Sequence, residues 1–235
     1  MNAAQRRWIA DRDAAVWAPH GIASLAATHW LDAVEREYEE LPGRWRTDGT
    51  TALGSDTPAS LRLGVGDEAR LGDLLLRAVR RDGALAVRVW DPDAASRRGI
   101  STIVRAAYEP SRRVTGVFAS KPQSEATQAV DGHRSDTVYD GVVFFELDGV
   151  PLELTVERDD DGSLFAAFAD ATAGAGSYRF RFLRVPAPDA DSRVELDLNR
   201  AYLPPCAFSD HYVCVFPPPG NRWSVPVASG ELTVR

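Results

Sequence analysis

The stretch CAFSDHYVCVFPPPGNRWSVPVASGE runs from Cys206 to Glu231. It holds both cysteines of the chain, one of its four histidines, three consecutive prolines and the triplet Asn221-Arg222-Trp223. Two readings fit these residue types. In one, Cys206 is a nucleophile, placed just after Pro204-Pro205 on a loop above a sheet. Its thiolate then needs a cationic or hydrogen-bonding neighbour, and Arg200, His211 and Arg222 are close in sequence. In the other, Cys206 and Cys214 are packed thiols, or a bridge that closes a short loop and contributes about 2–3 kcal/mol. The gaps from Cys206 to His211 to Cys214 do not follow the spacing of paired zinc ligands, even with His29 added, so no metal site is expected.

Three further clusters can bind a polar ligand or brace a turn. In DLNRAY, a strand reading projects Asp197 and Asn199 from one face beside Arg200. A carboxylate, an amide and a guanidinium together can bind a ligand; alternatively Asp197 pairs with Arg200 and Asn199 satisfies backbone. DATAGAGSY, from Asp170 to Tyr178, is Gly-rich but lacks the Gly-Lys-Ser/Thr of a phosphate loop. It reads as a turn in which Asp170 and Thr172 bond local amides. In SYRFRFLRV, Tyr178, Phe180 and Phe182 share one face and Arg179 and Arg181 the other. Arg179 reads as a solvated outer residue, and Arg181 as the better anion ligand. PPPGNRW cannot form a central strand, because Pro217 to Pro219 lack donors. It reads as an extended strap that ends in the strand WSVPVA. Trp8, Trp17 and Trp30 are core or lid residues, or a stacking platform. No Ser-His-Asp order, nucleophile elbow, dinucleotide fingerprint or paired-carboxylate motif stands out.

These residues need a scaffold. The first segment reads as a helix with Trp8, Ile9, Arg12 and Val16 near one face, ended by APHG. GIASLAATHWLD fits a buried strand or a short helix, and AVEREYEELPG has helical composition up to Pro42. From Trp45 the β signal dominates. Asp-Gly occurs six times, at 48–49, 82–83, 131–132, 140–141, 148–149 and 161–162, and suits the positive φ angles of hairpin turns. Alternation is clear in VVFFELDGVPLELTV, where Leu152, Leu154 and Val156 share a face, and in RVELDLN. This predicts a mainly β chain, an antiparallel β-barrel or sandwich with an N-terminal helix. It predicts a single domain over 1–235, with a helical segment over 1–40 and a β-rich core over 43–235. A polar excursion near 120–136 is read as a mobile linker or lid, and 203–226 as a Pro-rich strap.

FADATAGAGSYRFRFLRV, VELDLNRAYLPPCAF and CVFPPPGNRWSVPVASGE resemble the closing motifs of the bacterial domain of unknown function 1684 family (DUF1684). SLAATHWL and AVRVWDPDAASRRG are similar to its earlier motifs. The matching positions are Asp170, Thr172, Gly174, Tyr178, Arg181, Asp197, Asn199, Tyr202, Pro204, Cys206, Cys214, Pro218, Asn221 and Glu231. The chain departs from the pattern at Leu203 for Asn, Leu198 for Phe, Ser177 for Thr, Val215-Phe216 for Pro-Leu and Ser229 for Ala. The resemblance implies where the family's fixed residues lie and names no chemistry.

Bulk properties bound the rest. The chain has 235 residues, 44% hydrophobic and 26% charged, enough for a sizeable core. A net charge of −7 gives nucleic acid no electrostatic footing. No apolar stretch resembles a signal peptide or a membrane span, which predicts a cytoplasmic protein. The expected site therefore combines Cys206 and Asp197 as catalytic groups with Asp170, Tyr178, Arg181, Asn199 and Arg222 as ligand-binding groups. It would take a small polar organic ligand, and no cofactor is specified. The alternative is a structural or interaction module in which the C-terminal polar residues only brace the fold.

Overall fold

The computed structural model describes all 235 residues. One helix, α1 (Ala3–Trp17), opens the chain, and a single helical turn, α2 (Ala94–Arg97), interrupts it later. Apart from short 3-10 turns, the other regular elements are strands: β1 (Leu25–Trp30), β2 (Arg36–Tyr38), β3 (Leu41–Thr47), β4 (Ala52–Ser55), β5 (Leu61–Leu63), β6 (Glu68–Leu71), β7 (Leu74–Arg81) and β8 (Ala84–Trp90). These are followed by β9 (Ile103–Arg105), β10 (Arg113–Gln128), β11 (Arg134–Leu147), β12 (Val150–Arg158), β13 (Leu164–Phe168), β14 (Arg181–Val185), β15 (Arg193–Asp197) and β16 (Glu231–Val234). Every strand pairing is antiparallel, so the mainly β, antiparallel class with an N-terminal helix holds. No helix is long and apolar enough to cross a membrane.

The chain divides into two compact units. The first comprises 1–8, 102–207 and 213–235; the second comprises 9–101 and 208–212. In the first unit a six-stranded sheet runs β14-β13-β12-β11-β10-β15, and β16 pairs with β9. Its core gathers Val143, Leu154, Val156, Leu164, Phe168, Leu183 and Leu196. The second unit has two four-stranded sheets, β1-β8-β7-β6 and β2-β3-β4-β5. Its core centres on Trp45, Leu76, Ala78, Leu85, Val87 and Val89.

The Asp-Gly signal succeeds where geometry demands it. Asp82-Gly83 (φ 49° and 83°) and Asp148-Gly149 (φ 52° and 78°) both adopt left-handed backbone in two-residue hairpins, as type I′ turns require. Asp140-Gly141 is different. It lies inside β11, where Gly141 pairs with Ser120 and Val156. A Cβ there would stand 2.4 Å from the Ala119 carbonyl oxygen and 2.6 Å from the Phe118 ring. Glycine is present for space and makes no turn.

Several other expectations are corrected. α1 stops at Trp17, short of residue 40, and AVEREYEELPG forms no helix. It makes the β2–β3 hairpin, with Arg36 opposite Trp45 and Glu37 opposite Arg44. Burial of Trp45 outweighs the helical propensity of the glutamates. LAATHW, Leu25–Trp30, is β1, preceded by a 3-10 turn over Ile22–Ser24. The polar stretch 120–136 is a paired hairpin and not a loose segment: Gln123 to Gln128 pair with Tyr139 to Arg134. β15 ends at Asp197, and Leu198–Arg200 form a 3-10 turn, so Asp197 and Asn199 do not share a strand face. WSVPVA alternates buried and exposed like a strand but lies in none.

Gly141→Ala is expected to cost about 1–3 kcal/mol through overpacking against Ala119 and Phe118. A urea titration checks it; a variant as stable as the wild type would mean that β10 can give way.

Candidate functional site

WSVPVA joins no sheet, so its backbone groups need other partners. Backbone supplies two of them, Ala169 O for Trp223 N at 2.8 Å and Ala171 N for Val225 O at 3.3 Å, and side chains supply others. The Asp170 carboxylate accepts the Val227 N–H at 3.0 Å. The Arg181 guanidinium donates to the carbonyls of Val227 (2.6 Å), Ser229 (2.6 Å) and Glu231 (3.2 Å). Asp170 and Arg181 bond each other at 2.6 Å, and both side chains are 1% exposed. The guanidinium also lies 5.2 Å from the centre of the Phe168 ring. Burial alone would raise the Asp170 carboxyl. Arg181, the Val227 N–H and Thr172 outweigh it and hold it below the ordinary carboxylate range.

Asn221 braces the strap at its other end. β12 and β13 pair only near the turn that joins them. Beyond it, Asn221 accepts from Thr155 N (2.6 Å) and donates to the carbonyls of Thr155 (2.8 Å) and Ala167 (2.9 Å). Asn199 works likewise: it accepts from Glu109 N and donates to Glu109 O, both at 2.9 Å. Asp197 accepts from Asn199 N at 3.1 Å and lies 3.6 Å from Arg200. Arg222 points its guanidinium back to the Pro217 carbonyl at 3.1 Å. Glu231, fully buried, accepts from Leu203 N at 2.8 Å and pairs with Arg105 at 3.0 Å.

A different arrangement surrounds Cys206. Pro204 and Pro205 lead into a 3-10 turn, Pro205–Ala207, that carries it. Cys214 is held where Val130 N bonds its carbonyl at 2.9 Å and Val215 bridges Ala129. Both cysteines are free thiols, and each is the largest influence on the other's titration. The Tyr178 hydroxyl donates to the Cys206 carbonyl at 2.9 Å and reaches its sulfur at 3.6 Å. Arg179 lies close enough to interact electrostatically with Tyr178 and Cys206, its guanidinium 5.4 Å from the centre of the Tyr178 ring and 5.2 Å from that of Phe216.

The electrostatics follow from these contacts. The hydrogen bond from Cys214 acts most strongly to lower the Cys206 thiol. Burial opposes it, and Tyr178 and Arg179 add to it, leaving Cys206 at about 7. The same bond and burial push Cys214 up, so it keeps its proton. Burial and Cys206 push Tyr178 up, so it remains a donor. The contacts thus favour a thiolate on Cys206 over one on Cys214.

Of the residues expected at the site, Tyr178 and Cys206 touch. Asp170 and Arg181 bond each other and the strap; Asp197 bonds Asn199, while Asn199 and Arg222 are bonded to backbone. Arg179, read from the sequence as a solvated residue, is exposed yet sits beside the thiol. Its position between Tyr178 and Phe180, one residue from the first and one from the second, was the available signal. No group of three His, Cys, Asp or Glu is arranged to hold a metal ion.

Asp170→Asn leaves the Arg181 charge buried without a counter-charge, at an expected cost of about 3–5 kcal/mol. Because the folded carboxyl is depressed, the wild-type contribution is complete above the unfolded value of about 3.9 and fades as pH falls through the folded one. Denaturant melts across that range should show a shallower acid dependence in the variant. Equal stability of the two proteins would show that the strap is held by something else.

Among curated proteins none matches the chain. An uncharacterized protein of Haloarcula marismortui, solved by solution NMR, is similar at 29% identity with a TM-score of 0.47. The match covers 58% of this chain and 79% of that one. The family described as "Protein of unknown function (DUF1684)" matches residues 99–232, which include the strap, its brace and both thiols. The chain belongs to the DUF1684 family.

Proposed function

We propose that the protein performs thiol chemistry on a small polar electrophile. Cys206 is the attacking thiolate, Cys214 the partner thiol, and Tyr178 and Arg179 hold the developing charge. The observation that carries this reading is the convergence of a hydroxyl, a second thiol and a guanidinium on one sulfur. Such a setting stabilises a thiolate, which is the nucleophile. Cys206 is only 3% exposed, while Cys214 is half-buried and Arg179 exposed. Reagents therefore approach from the Arg179 side and must be small.

A hydroperoxide illustrates the reaction with atoms balanced. The Cys206 thiolate attacks the terminal oxygen; the S–O bond forms, the O–O bond breaks, and the alkoxide leaves and takes a proton from water. Cys214 then attacks the sulfenic sulfur, the S–S bond forms and water departs. The thiols lose two electrons and the peroxide gains them. A cytoplasmic setting suits this chemistry, since thiols there are returned to the reduced state.

A second reading is favoured by a specific observation: Asp170, Arg181, Asn199 and Asn221 spend their hydrogen bonds on backbone or on one another. Those residues then brace the fold and take no part in ligand binding. If the thiols are inert as well, the chain is a structural or interaction module.

Brief treatment with hydrogen peroxide followed by intact-mass measurement separates the two. The reduced wild type should lose two hydrogens, Cys214→Ser should gain one oxygen at Cys206, and Cys206→Ser should stay unchanged. Thiols that react no faster than free cysteine, or a Cys214 that oxidises in the absence of Cys206, would leave only the bracing module.

A further inference from the structure

The second unit contains a cleft of about 260 Å³. Its floor is apolar and buried, formed by Ala26, Ala27 and Ala94. Its walls carry His29, Glu39, Glu40, Arg97, Arg98 and His211. None of these belongs to the thiol centre.

The wall residues are fixed in place. Arg98 donates to the carbonyls of Leu25 (3.1 Å) and Ala23 (2.5 Å), which orients its fork. Its charge has no carboxylate partner, whereas neighbouring Arg97 pairs with Asp91 at 2.8 Å and with Glu40 at 3.4 Å. His29 donates from Nε2 to the Glu39 carbonyl at 2.6 Å, so in the neutral ring Nδ1 is left as an acceptor. Thr28 Oγ1 bonds the His211 carbonyl at 3.0 Å, and Tyr212 reaches Ile22 O at 3.1 Å, so the segment 208–212 is pinned. The His211 imidazole itself bonds nothing. Burial pushes it below its usual value; Glu40 opposes this, and His29 and Arg98 add to it, so the ring is neutral at pH 7. Glu40 holds a left-handed backbone, φ 59°, unusual for a side-chain-bearing residue and often found where function needs it.

We propose that this cleft binds a small hydroxylated organic anion, with Arg98 taking the anionic group and His29 and His211 bonding its hydroxyls. The Arg98 guanidinium, in no ion pair and under only the longer-range fields of Glu40 and Asp210, selects the charge. The two imidazoles, one an acceptor at Nδ1 and the other unpartnered, ask for hydroxyl hydrogens and oxygens in place of a bare ion. The alanine floor leaves room for a short carbon chain. Carboxylate and phosphate heads satisfy Arg98 equally, so hydroxycarboxylates and sugar phosphates share the chemistry.

Calorimetric titration of the full chain with gluconate, glucose 6-phosphate, inorganic phosphate and glucose tests it. At least one of the first two should bind saturably, and which one does names the head group; phosphate alone and neutral glucose should bind at least about tenfold more weakly. Arg98→Gln should weaken binding by about tenfold to a hundredfold. If that variant fails to fold, His211→Ala, which removes a side chain with no hydrogen bonds, should still lower affinity several-fold with an unchanged melting temperature. Absence of binding by both organic anions, equal binding of inorganic phosphate, or full affinity in His211→Ala would overturn the proposal.

Discussion

The buried pair of Asp170 and Arg181 takes the place of a missing strand. Val227 to Ser229 join no ladder, β16 begins only at Glu231, and Pro226 could not donate to one. Five side-chain bonds, four of them to the strap, do what a neighbouring backbone would do. A buried ion pair is a poor source of net stability, because desolvation cancels much of its attraction. Its value here is positional. Only this side chain offers several donors in a fixed plane, and only a carboxylate beside it can both neutralise the charge and accept the Val227 N–H. A lysine at 181 would match the charge but could not span three carbonyls.

The consequence reaches the thiols through a short covalent and hydrogen-bonded path. Arg181 holds the Glu231 carbonyl, the Glu231 carboxylate holds Leu203 N, and Leu203 leads through two prolines to Cys206. From the other direction, Arg181 begins β14, and Tyr178 and Arg179 lie immediately before it. The frame therefore presents both sides of the Cys206 environment from one anchored point. Residues that brace the fold and those that surround the Cys206 thiol are interleaved in sequence, which explains why one set of motifs contains both.

Much of the scaffold was legible because its signals are local. Asp82-Gly83 and Asp148-Gly149 announce their turns through backbone angles that few residues tolerate. The alternation around Leu152, Leu154 and Val156 fixes β12. What failed was set by distant contacts. Gly141 looked like a turn until Phe118 was placed over it, and Glu35 to Glu40 looked helical until Trp45 needed a cover. At the site, the sequence marked Tyr178 and Cys206 but could not tell bracing from binding in Asp170, Arg181 and Asn199, since both uses favour the same polar side chains. Arg179 is exposed, as a solvated residue should be; the alternation that put it on the face of Arg181 fails, because β14 starts only at 181 and Arg181 is buried. The cleft wall joins positions 29, 98 and 211, whose separation leaves no spacing to read.

The most direct measurement is the ultraviolet titration of the Cys206 thiolate in the intact reduced protein, compared with Arg179→Gln and Cys214→Ala. A half-point at about 7 is expected in the wild type, moved upward in both variants and most in Cys214→Ala, which removes the strongest of the lowering interactions. A wild-type thiol that titrates in the ordinary cysteine range of about 8.5, unmoved by either substitution, would contradict it.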